Sequence, residues 1–239
     1  MKFIKKHLKL IVFILTFLAI YLIYIGVGNK KIIYTSLGDG FASGLNPYLN
    51  NDYAYSDFLA DYLKKKNQLR KFYNGFSDDN MMIKDLKNDI LINIKDKDNH
   101  NLKQVLRETD LLTISVGIND FRYYFENKNN LTDYEKNKIL TEIVEKLDDV
   151  IKEIKKYCQG DVYLIGYYNF YPQNSVEKKL LDKLNEKYKQ ICSKNNITFV
   201  DNNNINKNIN KYLENPNTIY PNKEGYKEIF NNIVQNGDF

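Results

Sequence analysis

The sequence predicts an α/β fold, a three-layer α/β/α sandwich around a parallel sheet of about five strands, and two patterns carry that expectation. Short runs of consecutive apolar residues recur at 31–37, 71–74, 110–116, 162–167 and 197–200. Amphipathic stretches of helical period follow them, at 53–66, 82–92, 102–107, 132–157, 176–192 and 224–234. A strand that is apolar on both sides has to be covered on both faces, and an intervening helix is the crossover that joins parallel neighbours.

In chain order, the first strand leads into helix 53–66 and the second into helices 82–92 and 102–107. The third leads into the longest helix. There Leu140, Ile143, Val144, Leu147, Val150, Ile151 and Ile154 recur at spacings of three and four for about four turns, which turns one apolar stripe toward a core. Helix 176–192 follows the fourth strand. After the fifth, residues 201–210 (DNNNINKNIN) are low in complexity and read as a loop with a short helix near Tyr212, not as a linker between domains. About 200 residues is the size of one domain with a sizeable core. The 33 Asn reflect a compositional bias from which no mechanism follows. Cys158 and Cys192 each close a long helix just before a strand; a disulfide and two unpaired buried thiols are both open readings.

Ahead of the fold, residues 10–27 (LIVFILTFLAIYLIYIGV) run for 18 positions without a charge, preceded by Lys2, Lys5, Lys6, His7 and Lys9. Such a run is long enough to span about 30 Å of hydrocarbon as a helix, and the basic flank places the start inside. The expectation is a short basic cytoplasmic segment at 1–9, a transmembrane anchor at 10–28, and an extracytoplasmic domain at 31–239, single-pass in the cell membrane. A cleaved signal peptide is the rival reading, with Gly26-Val27-Gly28 as a weak cleavage site; it also puts the domain outside the cytoplasm. Residues 1–31 hold six Lys and no acid, so the +5 formal charge leaves 29 bases against 30 acids in the remainder. A nearly neutral domain gives no support to a nucleic-acid partner, which needs clustered bases to neutralise phosphates.

Three turns hold the candidate chemistry. After the first strand comes Ser36-Leu37-Gly38-Asp39-Gly40-Phe41-Ala42-Ser43-Gly44; after the third, Val116-Gly117-Ile118-Asn119-Asp120; near the end, Asn217-Thr218-Ile219-Tyr220-Pro221-Asn222-Lys223-Glu224-Gly225-Tyr226. In open α/β sheets ligands bind outside the carboxyl ends of the strands, where two of these turns sit. Singly each is weak; together, in this order, they resemble the SGNH, or GDSL, family of esterases and lipases, from about residue 31 to the C-terminus. Gly38 and Asp39 match the family's Gly-Asp-Ser turn. Gly117, Asn119 and Asp120 match its Gly-x-Asn-Asp turn, and Pro221, Asn222, Gly225 and Tyr226 match the surroundings of its Asp-x-x-His-Pro loop.

The departures fall on the working residues. Gly40 stands at the family's nucleophilic Ser, Tyr220 at its His, Asn217 at the Asp that orients that His, and Asn80, in the turn 76–80, at the usual Gly. Ester cleavage by this route needs an oxygen nucleophile, a base matched to the working pH, and donors aimed at the oxyanion. Gly40 has no side chain to attack with. A tyrosine with the reference pKa of about 10 is phenolate in only about one molecule in a thousand at pH 7. The resemblance therefore implies a pseudoenzyme. What it leaves is an oxyanion-type site, the backbone N–H groups of Gly40 and Asn80 with the Asn119 amide, able to hold a small ester, a carboxylate or a glycan without cleaving it. Tyr220 is expected to fill the volume of the missing imidazole, its hydroxyl on Asn217. The alternative is an active ester hydrolase with a displaced nucleophile such as Ser43; a third reading is a structural partner with a filled mouth. His100 reads as a solvated loop residue. The aromatic runs 123–125 and 167–171 either line a cleft or pack under loops. The sequence holds no metal-ligand cluster and no phosphate loop, and implies no cofactor.

Overall fold

The computed structural model describes residues 2–27, 31–126 and 130–237. Five strands, Ile32–Gly38 (β1), Leu69–Ser77 (β2), Leu111–Ser115 (β3), Asp161–Ile165 (β4) and Thr198–Val200 (β5), form one sheet in the order β2-β1-β3-β4-β5. Every neighbouring pair is parallel. The expected α/β/α sandwich is thus present, with β2 longer than the short run suggested.

Among the described residues ten α-helices accompany the strands: Lys2–Val27 (α1), Gly40–Ser43 (α2), Tyr55–Lys65 (α3), Ile83–Ile92 (α4), Leu102–Glu108 (α5), Ile118–Phe125 (α6), Asp133–Lys155 (α7), Val176–Asn195 (α8), Ile209–Tyr212 (α9) and Lys223–Asn236 (α10). Right-handed crossovers place helices on both faces of such a sheet. In agreement, α3 packs on α10, while α4 packs on α7 and α7 on α8. The α7 stripe is fully buried at Leu140, Ile143, Leu147, Val150, Ile151 and Ile154. Local chemistry fixes the ends of these helices. Thr132 and Glu135 form a reciprocal capping box at α7, Ser175 caps α8, and Asn222 caps α10 by accepting the Gly225 N–H at 3.0 Å. Asn93 and Asn196 end α4 and α8 in the left-handed region, with φ of 58° and 52°, which Asn adopts more readily than most residues.

Residues 201–210 are more ordered than their composition suggests: a 3₁₀ turn, Asn203–Asn208, runs into α9. Asn202 donates to the Gly166 carbonyl at 2.7 Å. Asn232 of α10 donates to Asn202 and Asn204 at 2.8 Å each, which locks the last helix to the loop after β5. The two cysteines are both buried free thiols; Cys158 Sγ faces the Thr109 carbonyl at 3.9 Å, so the unpaired reading holds.

Helix α1 carries the run expected to cross a membrane. Within that run the described side chains extend from Leu10 to Tyr21, about 18 Å of helix. Among the described residues no helix is long and apolar enough to cross a membrane. Gly28, the last position of the expected anchor, lies outside the described residues, as does Met1.

Asn232→Ala should lower the free energy of unfolding by about 1–3 kcal/mol, because it strands the buried side-chain oxygen of Asn202. The exposed Asn210→Ala should stay within about 0.5 kcal/mol of the parent. Urea unfolding of the two variants measures both.

Candidate functional site

The strand order reverses direction at β1, and the crevice between the carboxyl ends of β1 and β3 is where a ligand site forms in such sheets. The two turns singled out in the sequence meet there. Gly38 sits at φ 135°, and a Cβ on it would stand 1.8 Å from the Ser115 carbonyl oxygen, so only glycine lets the two strand ends approach. Asp39 follows, wholly buried. Its carboxylate accepts the Phe41 N–H at 3.1 Å, the Ser115 hydroxyl at 2.8 Å and the Tyr167 hydroxyl at 2.7 Å, which ties together the turns after β1, β3 and β4. Burial raises its pKa to about 7 against the opposing pull of those donors. Asp120 makes a similar brace: its carboxylate accepts the Ile83 N–H at 2.9 Å and holds the start of α4 to the turn after β3.

Gly40 opens α2 directly after Asp39. A Cβ at this position would lie 2.6 Å from Cε1, Cζ and the hydroxyl oxygen of Tyr220. The phenol thus occupies the space a nucleophilic side chain would need. It is 5 % exposed, packed on the Phe41 ring at 5.2 Å between centroids. Its own backbone is held on both sides: Thr218 Oγ1 accepts the Tyr220 N–H at 3.3 Å, and the Ile219 carbonyl accepts the Tyr168 hydroxyl at 2.5 Å. Burial pushes the Tyr220 pKa well above the ordinary tyrosine value, so its phenolate is rarer at neutral pH than that of a free tyrosine.

Of the three expected oxyanion donors, those of Asn119 and Asn80 are engaged elsewhere. Asn119, at the start of α6, gives its amide hydrogens to the carbonyls of Asp79 and Met81, each at 3.1 Å. The Asn80 N–H goes to the Asp78 carboxylate at 2.9 Å, and the Asn80 residue is exposed. The loop after β2 therefore folds onto Asn119 and takes up its amide hydrogens. Asn217 is exposed, and no hydrogen bond joins it to Tyr220; its N–H is held instead by Asn215 Oδ1 at 3.0 Å. The expected Tyr220 to Asn217 bond is not formed because the loop turns Asn217 outward while Tyr220 turns inward.

Ser43, the last residue of α2, donates its hydroxyl to Asp79 Oδ1 at 2.5 Å and faces a polar cleft of about 300 Å³ that Asn51, Asp57, Asn74, Ser77 and Lys97 also line. Asp79 thus contacts both Ser43 and Asn119, a junction with no sequence signal beyond its place in the turn. His100 is not simply solvated: its Nδ1 faces Asp96 Oδ2 at 2.9 Å and its Nε2 faces Lys71 Nζ at 3.2 Å. With Asp98 these two residues form a group of potential metal ligands among the described residues, yet the lysine at Nε2 and the carboxylate at Nδ1 already satisfy the ring. Of the aromatic runs, Tyr167 and Tyr168 are buried and braced under the loops, whereas Tyr123 is 54 % exposed.

Residues 36–228 match the GDSL-like lipase/acylhydrolase family. The chain belongs to that family. Among solved structures it is similar to an acetylxylan esterase of Geobacillus stearothermophilus, with 16% identity, TM-score 0.66, 89% of this chain covered and 97% of the esterase. It is also similar to an extracellular lipase of Streptomyces rimosus, with 16% identity, TM-score 0.63, 87% of this chain and 100% of the lipase. These similarities are of fold. Variants of that esterase altered at a serine and at a histidine are described as catalytic mutants. No curated protein matches by sequence.

Two outcomes follow from this GDSL-family site. Gly40→Ser alone should cost about 1–3 kcal/mol through overpacking against the Tyr220 ring, and less than about 0.5 kcal/mol in a Tyr220→Ala background; urea unfolding of the four forms gives the coupling. For Asp39, folding raises the pKa to about 7 from an unfolded value near 4. The associated stability is complete below about pH 4 and is lost as pH rises through 7, on the order of 4 kcal/mol at the limit. Asp148, held low at about 2 by its lysine and asparagine partners, loses its contribution only as pH falls below the ordinary carboxylate range, so the windows are separate. Thermal melts between pH 4 and 8 should decline in the parent and flatten in Asp39→Asn; an equal slope in both would refute the assignment.

Proposed function

We propose that this chain is a membrane-anchored, extracytoplasmic member of the GDSL-like family that does not hydrolyse esters and serves as a binding or accessory protein. One observation carries the reading: the Tyr220 phenol fills the volume beside Gly40 in which a nucleophile and its base would stand. Variants of the esterase relative at a serine and a histidine are described as catalytic mutants, and the positions at which the resemblance expects those two residue types are here Gly40 and the buried Tyr220. The engagement of Asn119 by Asp79 and Met81 adds to this, since an oxyanion would have to displace two carbonyls. The anchor and the side of the membrane rest on the uncharged run 10–27 and its basic flank. A small ester, carboxylate or glycan ligand fits the polar cleft at Ser43 better than the filled mouth at Gly40.

A second reading, hydrolysis by Ser43, has one observation in its favour, the 2.5 Å bond from its hydroxyl to Asp79. It lacks a histidine base, because His100, the one His in the domain, is held by Asp96 and Lys71. Incubating the protein with a fluorophosphonate probe and a short-chain aryl ester separates the two. The non-catalytic reading expects no stoichiometric labelling and no turnover above background; labelling of Ser43 with matching turnover would establish the second. The combined variant Gly40→Ser, Asn217→Asp, Tyr220→His should gain about 10²-fold or more in ester hydrolysis over the parent if these positions are those of the family triad.

A further inference from the structure

The domain is nearly neutral, yet its bases are not evenly spread. Residues 64–71 (KKKNQLRK) hold Lys64, Lys65, Lys66, Arg70 and Lys71 without an acid. In the structure this stretch closes α3 and opens β2, and all five bases are exposed. Ile32 of β1 pairs with Leu69 of β2, so the cluster lies at the N-terminal end of the sheet, beside the point where the chain enters the domain. Lys31 joins it: its ammonium donates to the Asn67 carbonyl at 2.8 Å and to Asn67 Oδ1 at 2.7 Å, binding the entry point to the α3–β2 turn. Lys64 and Lys65 complement the C-terminal end of the α3 dipole, but that role does not extend to Arg70 or Lys31.

Only residues 28–31 separate the end of α1 from the start of β1. Such a tether reaches about 17 Å at most, within about two Debye lengths at physiological salt. We infer that the basic face formed by Lys31, Lys64, Lys65, Lys66 and Arg70 docks on anionic lipid headgroups at the membrane from which α1 emerges. This inference rests on the anchor reading above. Each lysine or arginine near a negative membrane surface strengthens binding about fivefold, so a cluster of this size fixes the orientation of a domain that is already tethered. The N-terminal ends of the strands then face the bilayer, and Gly40, Asn119 and Tyr220 at their C-terminal ends face away from it.

The test uses the full chain in nanodiscs of phosphatidylcholine alone or with phosphatidylglycerol, with amine labelling read by mass spectrometry. Lys64, Lys65 and Lys66 should label about fivefold more slowly in the anionic discs at low salt and recover at high salt, while Lys211 and Lys223, in α9 and at the start of α10, stay unchanged. Equal labelling in both discs would overturn the docking and leave the anchor intact. If the chain enters neither disc, the anchor reading falls, and flotation on phosphatidylglycerol vesicles decides the docking alone. The parent should then float, and the exposed-site variant Lys64→Gln, Lys65→Gln, Lys66→Gln, Arg70→Gln should not; sedimentation of both refutes it. Equal affinity for single-stranded RNA and for the vesicles would also overturn the lipid assignment, by making the face a general polyanion surface.

Discussion

The buried carboxylate of Asp39 is the interaction on which the upper end of this domain depends. A charge-bearing group with no solvent contact is costly to bury and is retained only where donors converge on it. Here they come from three separate turns, through Phe41, Ser115 and Tyr167, and Tyr167 in turn accepts the Ile118 N–H at 3.2 Å. The result is a polar knot at the point where β1, β3 and β4 end. It positions α2 and α6, and through them Gly40 and Asn119, although it contributes no reacting atom. A scaffold of this kind persists independently of catalysis, because its purpose is to satisfy its own buried charge.

Around that knot the crevice is closed by packing and hydrogen bonds. Tyr220 stands over Gly40, and the loop after β2 has closed on the Asn119 amide through two carbonyls. These two changes support each other physically. An amide exposed in an emptied crevice would need a partner, and a glycine without a neighbour would leave a void; the tyrosine fills the second need and the loop meets the first. Ser43, one turn along α2, has likewise found a carboxylate partner in Asp79.

Most of the architecture was legible because burial imposes periodicity. Four of the five strands read as apolar runs, the edge strand β2 carrying only a short one, and the α7 stripe predicted from spacing is the stripe that is buried. The site was legible only as a set of positions. Gly-Asp, Gly-x-Asn-Asp and the late proline loop locate it, and the absence of a side-chain hydroxyl at 40 follows from the glycine there. Which donors remain free could not be read, since the outcome depends on how the loop 78–81 settles on a residue about forty positions away. The Tyr220 to Asn217 bond failed because two residues three positions apart in one loop face opposite ways. Asparagine richness concealed real structure as well. Asn93 and Asn196 supply left-handed helix ends, and Asn202 and Asn232 hold a buried amide chain, roles that depend on dihedral angles and partners that composition does not encode.

The contact between Gly40 and Tyr220 also ties the two positions to each other. A hydroxymethyl group at 40 has to push the phenol aside, and removing the phenol alone opens a gap against Phe41. Either substitution by itself is therefore less favourable to the fold than the present pair. Two interlocked side-chain volumes act as one unit, each limiting what the other position can hold.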